Sequence, residues 1–250
     1  MVKMHDKLQK VERLKQTLNQ LRPLTSEELR RLNEEFMIEY TYDSNAIEGS
    51  TLTLEETALV LKENITIAEK PLDEHLSAIG HKDAYYYIED LVKQKRELNE
   101  NEILNIHSFV LMDRPEAKGK YRNVPVKILG TQAITSEPYL IKPQIENLLS
   151  WYQNETTLSQ IEKISLFHLK FETIHPFLDG NGRTGRLLLN FELMKYGYVP
   201  INIKYKDRRR YYDAFKSYNE TEDISDMVAL VCDYLIEELE RYIQIRNNKE

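Results

Sequence analysis

Only eight glycines and eight prolines punctuate this chain of 250 residues, so few positions are suited to break a helix. Three of those glycines crowd into six positions of one stretch, HPFLDGNGRTGR, residues 175–186. Elsewhere apolar residues recur with helical spacing. The combination predicts an all-α helical bundle interrupted by one glycine-rich loop.

The helix starts are legible. LTSEELRRLNEEFMIEY carries a capping box, Thr25 with Glu28, followed by Leu29, Leu32, Phe36 and Tyr40 on one helical face. This helix is expected to run through SNAIE and to stop at Gly49. Thr53 and Glu56 form a second box ahead of another helix, and residues 72–98 and 99–112 read as two more, parted near Asn99. IKPQIENLLSWYQNE follows, and IEKISLFHLKFETI reads as a central helix leading into 175–186. RLLLNFELMKYG, RRRYYDAFKSYNE and ISDMVALVCDYLIEELERYIQI complete the set. One segment departs from the pattern. In GKYRNVPVKILGTQAITSEPYL, Val124, Val126 and Ile128 alternate and Gly130-Thr131 suits a tight turn, which predicts a small β-hairpin with an exposed edge.

Composition bounds the partners. A net charge of −7 gives no support to nucleic-acid binding, and the run Lys206 to Arg210 reads as a solvated helix start. No apolar run reaches the length of a membrane span, and the start MVKMHDK does not resemble a secretory signal. The lone Cys232, in an apolar run, excludes an intrachain disulfide and suggests a buried thiol in a reducing compartment. The expectation is a cytoplasmic protein without nucleic-acid or membrane partners.

The loop itself points to phosphate chemistry. The first amides of a helix lack intrahelical acceptors and sit in positive potential, and Gly180 and Gly182 let the backbone turn toward an anion. Arg183 and Arg186, three apart, share a side of the first turn and supply two guanidinium forks. Asp179 stands at the mouth, where a hard carboxylate suits Mg²⁺ bridging phosphate oxygens. His175 closes the preceding helix and can accept a proton near neutral pH, while Phe177 would pin the loop into the core. A phosphate cradle, a metal carboxylate and a base together imply attack by a hydroxyl on phosphorus. The spacing is not that of a Walker A loop.

Residues 175–186 match the Fic signature HxFx[DE]GNGRxxR at every fixed position, and the chain resembles the Fic/DOC family over about residues 90–220. His168, seven residues before His175, sits as in many members, and the expected hairpin resembles the family's flap. The resemblance implies a Fic-type bundle in three parts: an N-terminal helical region over 1–90, a catalytic core over 91–220, and a C-terminal helix over 221–250 packed on that core. It implies a protein adenylyltransferase that moves AMP from ATP to a Ser, Thr or Tyr hydroxyl of a target protein, with self-modification at an exposed Tyr also open. By motif match His175 is the general base and Asp179 the Mg²⁺ ligand. Gly180, Asn181 and Gly182 form the anion hole, Arg183 and Arg186 hold the outer phosphates, and Tyr211 and Tyr212 lie near the nucleoside. Val124, Val126 and Ile128 of the flap would pair with an extended target segment.

A second stretch, SNAIEG at 44–49, fits the family's inhibitory pattern [ST]xxxE[GN] and lies ahead of the core. Ser44 and Glu48 are one helical turn apart and share a face. Docked on the cradle, Glu48 would pair with Arg186 and occupy the place of the γ-phosphate. A homo-oligomer could gate that contact. Rival functions on the same scaffold are AMP removal, transfer of another nucleotidyl or phosphoryl group, and a non-catalytic ATP-sensing interaction protein that needs the arginines but not His175. Other conspicuous residues carry plainer readings. His168 is expected in the core, His75 and His81 at the surface, and Tyr85-Tyr86-Tyr87 in packing.

Overall fold

Capping boxes start three of the helices in the computed structural model, which describes residues 2–126 and 135–247. Thr25 with Glu28 and Thr53 with Glu56 close reciprocally, as their spacing demands, and Ser159 with Glu162 adds a third box. In chain order the helices are α1 (Val2–Gln20), α2 (Ser26–Ile47), α3 (Leu54–Glu63), α4 (Leu72–Lys93), α5 (Glu100–Val110), α6 (Ile141–Asn154), α7 (Gln160–Ile174), α8 (Asn181–Lys195), α9 (Arg208–Thr221) and α10 (Ser225–Asn247). No strand occurs among the described residues, so the fold is an all-α bundle. Val124 and Val126 lie in irregular backbone; Ile128 and the Gly130-Thr131 turn of the expected hairpin fall outside the described residues.

α8 is the centre of the bundle. It is buried at every position from Arg183 to Leu193 and packs on α7, α4, α5 and α2. Leu187, Leu188, Leu189, Phe191 and Leu193 exclude water on all its faces. Each such side chain contributes about 1.5–3 kcal/mol by burial, which fixes the helix whose first turn carries the glycines of the loop. α10 lies along α1 and also covers α7 and α9, while α3 braces α2 against α4. Cys232 of α10 is fully buried, and that burial pushes its thiol up to about 12. Among the described residues no helix is long and apolar enough to cross a membrane.

Three expectations need correction. Leu29 is exposed, because burial along α2 begins only at Leu32, and the first turn is held instead by its cap and by Arg22 on Glu28. His75 and His81 are both buried, not at the surface. Their helix, α4, has neighbours on several sides, namely α2, α3, α5 and α8, so it has little free face. The His75 Nε2 accepts from the Ile67 amide at 2.8 Å and Nδ1 donates to the Pro71 carbonyl at 2.8 Å, closing the loop before α4. His81 stacks edge-on against Tyr40 and meets the Thr41 hydroxyl at 3.1 Å; burial keeps it neutral, well below its ordinary pKa. Of the tyrosine run, Tyr85 packs against Phe36 and Tyr40 while Tyr86 is exposed.

Candidate active site

The site is built where α7 stops and α8 starts. His175 caps α7 in the left-handed conformation (φ 52°, ψ 61°), its amide donating to the Phe171 carbonyl at 3.1 Å. That turn sends the chain back toward α8 through residues 176–180. The Asn181 side chain closes the loop on itself, accepting from the Phe177 amide at 2.8 Å and donating to the Phe177 carbonyl at 2.9 Å. What Asn181 can offer an anion is therefore its backbone. Phe177 is fully buried, its ring stacked on His107 at 3.6 Å. Gly180, at φ +76°, is a left-handed N-cap where any Cβ would be strained. A Cβ on Gly182 would come within 2.2 Å of the Glu48 carboxylate, so that carboxylate lies directly over the first turn of α8.

The two arginines point to opposite ends of this surface. Arg186 is fully buried and belongs to the inner end. Its Nε donates to the Ser44 hydroxyl at 3.0 Å, and its Nη2 donates to the Ser44 carbonyl at 2.8 Å and the Glu48 carboxylate at 2.7 Å. The ring of Tyr211 lies beneath it at 5.8 Å. Arg183, also buried, turns outward to Asp179 at 3.4 Å. Asp179 is part exposed; it also accepts from the Gly180 amide at 2.6 Å and from Arg114 at 3.2 Å. No group of three or more metal-ligating side chains exists among the described residues. A single hard carboxylate beside helix amides suits Mg²⁺ held jointly with substrate phosphates, which is how that ion is usually bound.

His175 is partly buried, and its Nδ1 is buried without a partner, which leaves Nε2 as the nitrogen able to meet an incoming hydroxyl. Burial lowers its pKa; the charge of Arg122 adds to this, against the Glu172 carbonyl, Glu48 and Asp179. The imidazole is thus neutral and able to accept a proton at physiological pH. Tyr211 is buried with its hydroxyl on His168 Nε2 at 2.8 Å, so in this conformation it forms the floor under Arg186 and not an open nucleoside face. His168 is a core residue, its pKa driven down to about 3 by burial. Tyr212 is the open member of the pair and donates to the Ile47 carbonyl at 3.0 Å, at the end of α2. Val124 is exposed and Val126 half-buried nearby in sequence.

Several residues of the site escape a reading of the sequence. Glu172, one turn before His175, is buried under Gly185 and Arg186; burial holds its carboxyl up at about 8, with Arg186 opposing and Glu48 reinforcing. Its spacing from His175 is a readable signal. Asp43 latches the end of α2, accepting from Asn202 at 2.7 Å and from the Tyr205 amide at 2.8 Å. His107 and Arg122 grip the loop from outside: His107 Nε2 donates to the Asp179 carbonyl at 3.0 Å, while Arg122 donates to the His175 carbonyl at 2.8 Å. No local pattern marks either one, since their partners lie far along the chain.

Comparison with known proteins gives a consistent picture. Residues 97–193 match the model of the Fic/DOC family. The protein adenylyltransferase fic-1 of Caenorhabditis elegans is 33% identical over 94% of this chain, which spans 46% of that relative. The chain thus spans a little under half the length of the curated relatives it matches. The solved structure of C. elegans Fic-1, residues 134–508, superposes with a TM-score of 0.88 at 30% identity, covering 98% of this chain and 73% of that one. A Fic domain containing signaling protein from Bacteroides thetaiotaomicron superposes equally well, TM-score 0.88 at 29% identity, over 96% of this chain and 98% of the other.

Proposed function

The chain belongs to the Fic/DOC family, and from that premise we propose that it is a Mg²⁺-dependent protein adenylyltransferase, held in check by Glu48. It takes ATP as donor and a Ser, Thr or Tyr hydroxyl of a cytoplasmic target protein as acceptor. The observation that carries this reading is one continuous surface. It runs from the neutral imidazole of His175, past Asp179 and the amides of α8, to the buried guanidinium of Arg186. Residues 1–90 supply the brake and residues 91–220 the chemistry, with 221–250 as a packed C-terminal brace.

In this reading the triphosphate lies along the first turn of α8. Gly180, Asn181 and Gly182 offer it backbone amides, and Arg183 and Arg186 hold its outer phosphates. Asp179 would hold Mg²⁺, which neutralises charge on the phosphate oxygens. His175 Nε2 takes the proton as the target hydroxyl oxygen attacks the α-phosphorus. The bond to the β-phosphate breaks and pyrophosphate leaves, with the arginines stabilising the charge it gathers. The open Tyr212 stands at the side where the nucleoside would lie, and the segment from Val124 would present the target. Glu48 obstructs this arrangement twice over: it engages the guanidinium needed by the γ-phosphate, and it adds a negative charge where that phosphate must sit.

The test is incorporation of α-labelled ATP by wild type, Glu48→Gly and Glu48→Gly/His175→Ala, with and without cell lysate. Strong labelling of itself or a lysate band by Glu48→Gly alone is the expected result. Labelling that survives loss of His175 would point to a chemistry without this base. Silence from Glu48→Gly that still binds ATP would favour the sensor.

A further inference from the structure

Arg122 is buried to 4% exposure, yet among the described residues it forms no ion pair with a carboxylate. Among the described residues, every group it bonds is a main-chain carbonyl. Its backbone amide donates to Pro176 at 3.0 Å, Nε to His175 at 2.8 Å, Nη1 to Val124 at 2.9 Å, and Nη2 to Ser136. Burying a cation among neutral acceptors is costly, and burial indeed lowers the pKa of this guanidinium. A structural filler would not need the charge. A planar fork reaches three spread carbonyls from three separate nitrogens, whereas the three donors of a lysine all sit on one atom.

The carbonyls it holds are revealing. His175 is one of few non-glycine residues with positive φ, at 52°, and it stands before Pro176, which restricts it further. A left-handed β-carbon-bearing residue costs about 1–2 kcal/mol and persists only where its surroundings enforce it. Capture of both the His175 and Pro176 carbonyls fixes the peptide planes on the exit side of that residue. Those planes set the direction in which the imidazole leaves the backbone. Asn181 holds the next residue, Phe177, from the other side.

The geometry points to Arg122 as the positioning residue of His175: its guanidinium holds the strained turn that aims the imidazole, and joins that turn to the Val124 and Ser136 backbones. This inference rests on the reading of His175 as the base, but its structural half does not. Charged and titratable groups facing the imidazole are Arg122 from the loop after α5, Glu48 from the end of α2 and Asp179 from the loop before α8; the Glu172 carbonyl faces it from α7. Of these only Arg122 is both positively charged and bonded to the His175 peptide.

The experiment compares Arg122→Gln and Arg122→Lys in the Glu48→Gly protein. The first readout is the NMR titration of the His175 ring without nucleotide, identified as the signal missing from His175→Ala. The second is steady-state AMP transfer. Arg122→Gln should move the ring titration to higher pH, and the acid limb of the rate profile with it. Its kcat should fall by about 100-fold, the scale of a misplacement near 1 Å, while KM for ATP changes little. Arg122→Lys should keep the titration near its parental pH yet lose kcat almost as fully. Full activity in Arg122→Lys, an unmoved ring titration in Arg122→Gln, or a loss confined to KM would each overturn the assignment. If the Glu48→Gly parent transfers no AMP at all, the function reading has failed, and the ring titration still decides whether Arg122 sets His175.

Discussion

The inner and outer ends of the same phosphate cradle are built on different physical terms. At the inner end Arg186 is enclosed by α2, α8 and Tyr211, and three contacts from Ser44 and Glu48 occupy its Nε and Nη2. At the outer end Asp179 is part exposed and shares itself between Arg114 at 3.2 Å and Arg183 at 3.4 Å, neither an ideal hydrogen bond. A pair with one enclosed partner, like Arg186 with the exposed Glu48, is screened less by salt than Arg114 with Asp179, exposed on both sides, and breaking it strands a buried charge. The protein thus concentrates its specificity on the place where the last phosphate must enter and leaves the metal end free to rearrange. The gate holds an enclosed guanidinium by an exposed carboxylate.

The largest effect should come from opening that inner end. Glu48→Gly removes the carboxylate that lies over Gly182 and frees one of the two Nη2 hydrogens of Arg186 while leaving the Ser44 contacts in place. AMP transfer should rise by about 100-fold, the upper range of a typical coupling between a regulatory contact and a site. The contrast is sharpened by salt. Raising ionic strength should wake the wild type only slightly, because Arg186 is enclosed and also held by Ser44, although Glu48 itself is exposed. A wild type that wakes fully in high salt would mean that the inner pair behaves like the outer one.

Next in size is a proton that the inner end keeps. The Glu172 carboxyl is held at about 8 in the folded protein against an ordinary 4.5, first by burial and then by Glu48, with Arg186 opposing. A raised folded pKa on an acid means that the folded state retains a proton which the unfolded chain releases. Stability therefore falls as pH rises from 4.5 to about 8 and levels off above. Glu172→Gln is neutral in both states and should lack this fall, so its Tm should exceed the parent's by several degrees at about pH 8 and converge on it near pH 5. In the Glu48→Gly background the difference should shrink, since one of the charges raising the carboxyl is gone. Equal Tm profiles for parent and Glu172→Gln would place the charge balance of the inner end elsewhere.

The two ends also mark how far the sequence can be read. Thr25, Thr53 and Asn99 announce their helices because a cap is a local contact between near neighbours. Ser44 and Glu48 are legible as one face because four residues make one turn, and both indeed meet Arg186. Arg183 and Arg186 share a side of the first turn by spacing alone, but their divergence to Asp179 and to α2 depends on which neighbour each side chain finds. His81 misleads because helical periodicity assigns one buried face, while α4 has several neighbours. Arg122 has no sequence signal, since three of its acceptors are backbone groups at Ser136, His175 and Pro176, and a carbonyl looks alike in every residue. Local geometry and motif chemistry are written in order along the chain; long-range capture of main-chain groups is not.

The smallest effect should come from the outer end, and its sign is informative. To meet Mg²⁺, Asp179 must turn its carboxylate from a guanidinium to the ion. Arg183 is buried and rises from the same helix turn, so Arg114, exposed and anchored in the loop after α5, is the partner that can withdraw. Arg114 then competes with the metal for one carboxylate oxygen. An exposed pair is worth about 0–1 kcal/mol, so Arg114→Ala should lower the Mg²⁺ concentration needed for ATP binding by no more than about fivefold. Calorimetric titration of ATP at a series of Mg²⁺ concentrations reads this directly, and the advantage should fade as salt screens the pair. Were Arg114→Ala instead to demand more Mg²⁺, Arg114 would be holding phosphate beside the ion. The outer end would then be tied to its ligand as firmly as the inner end is to its brake.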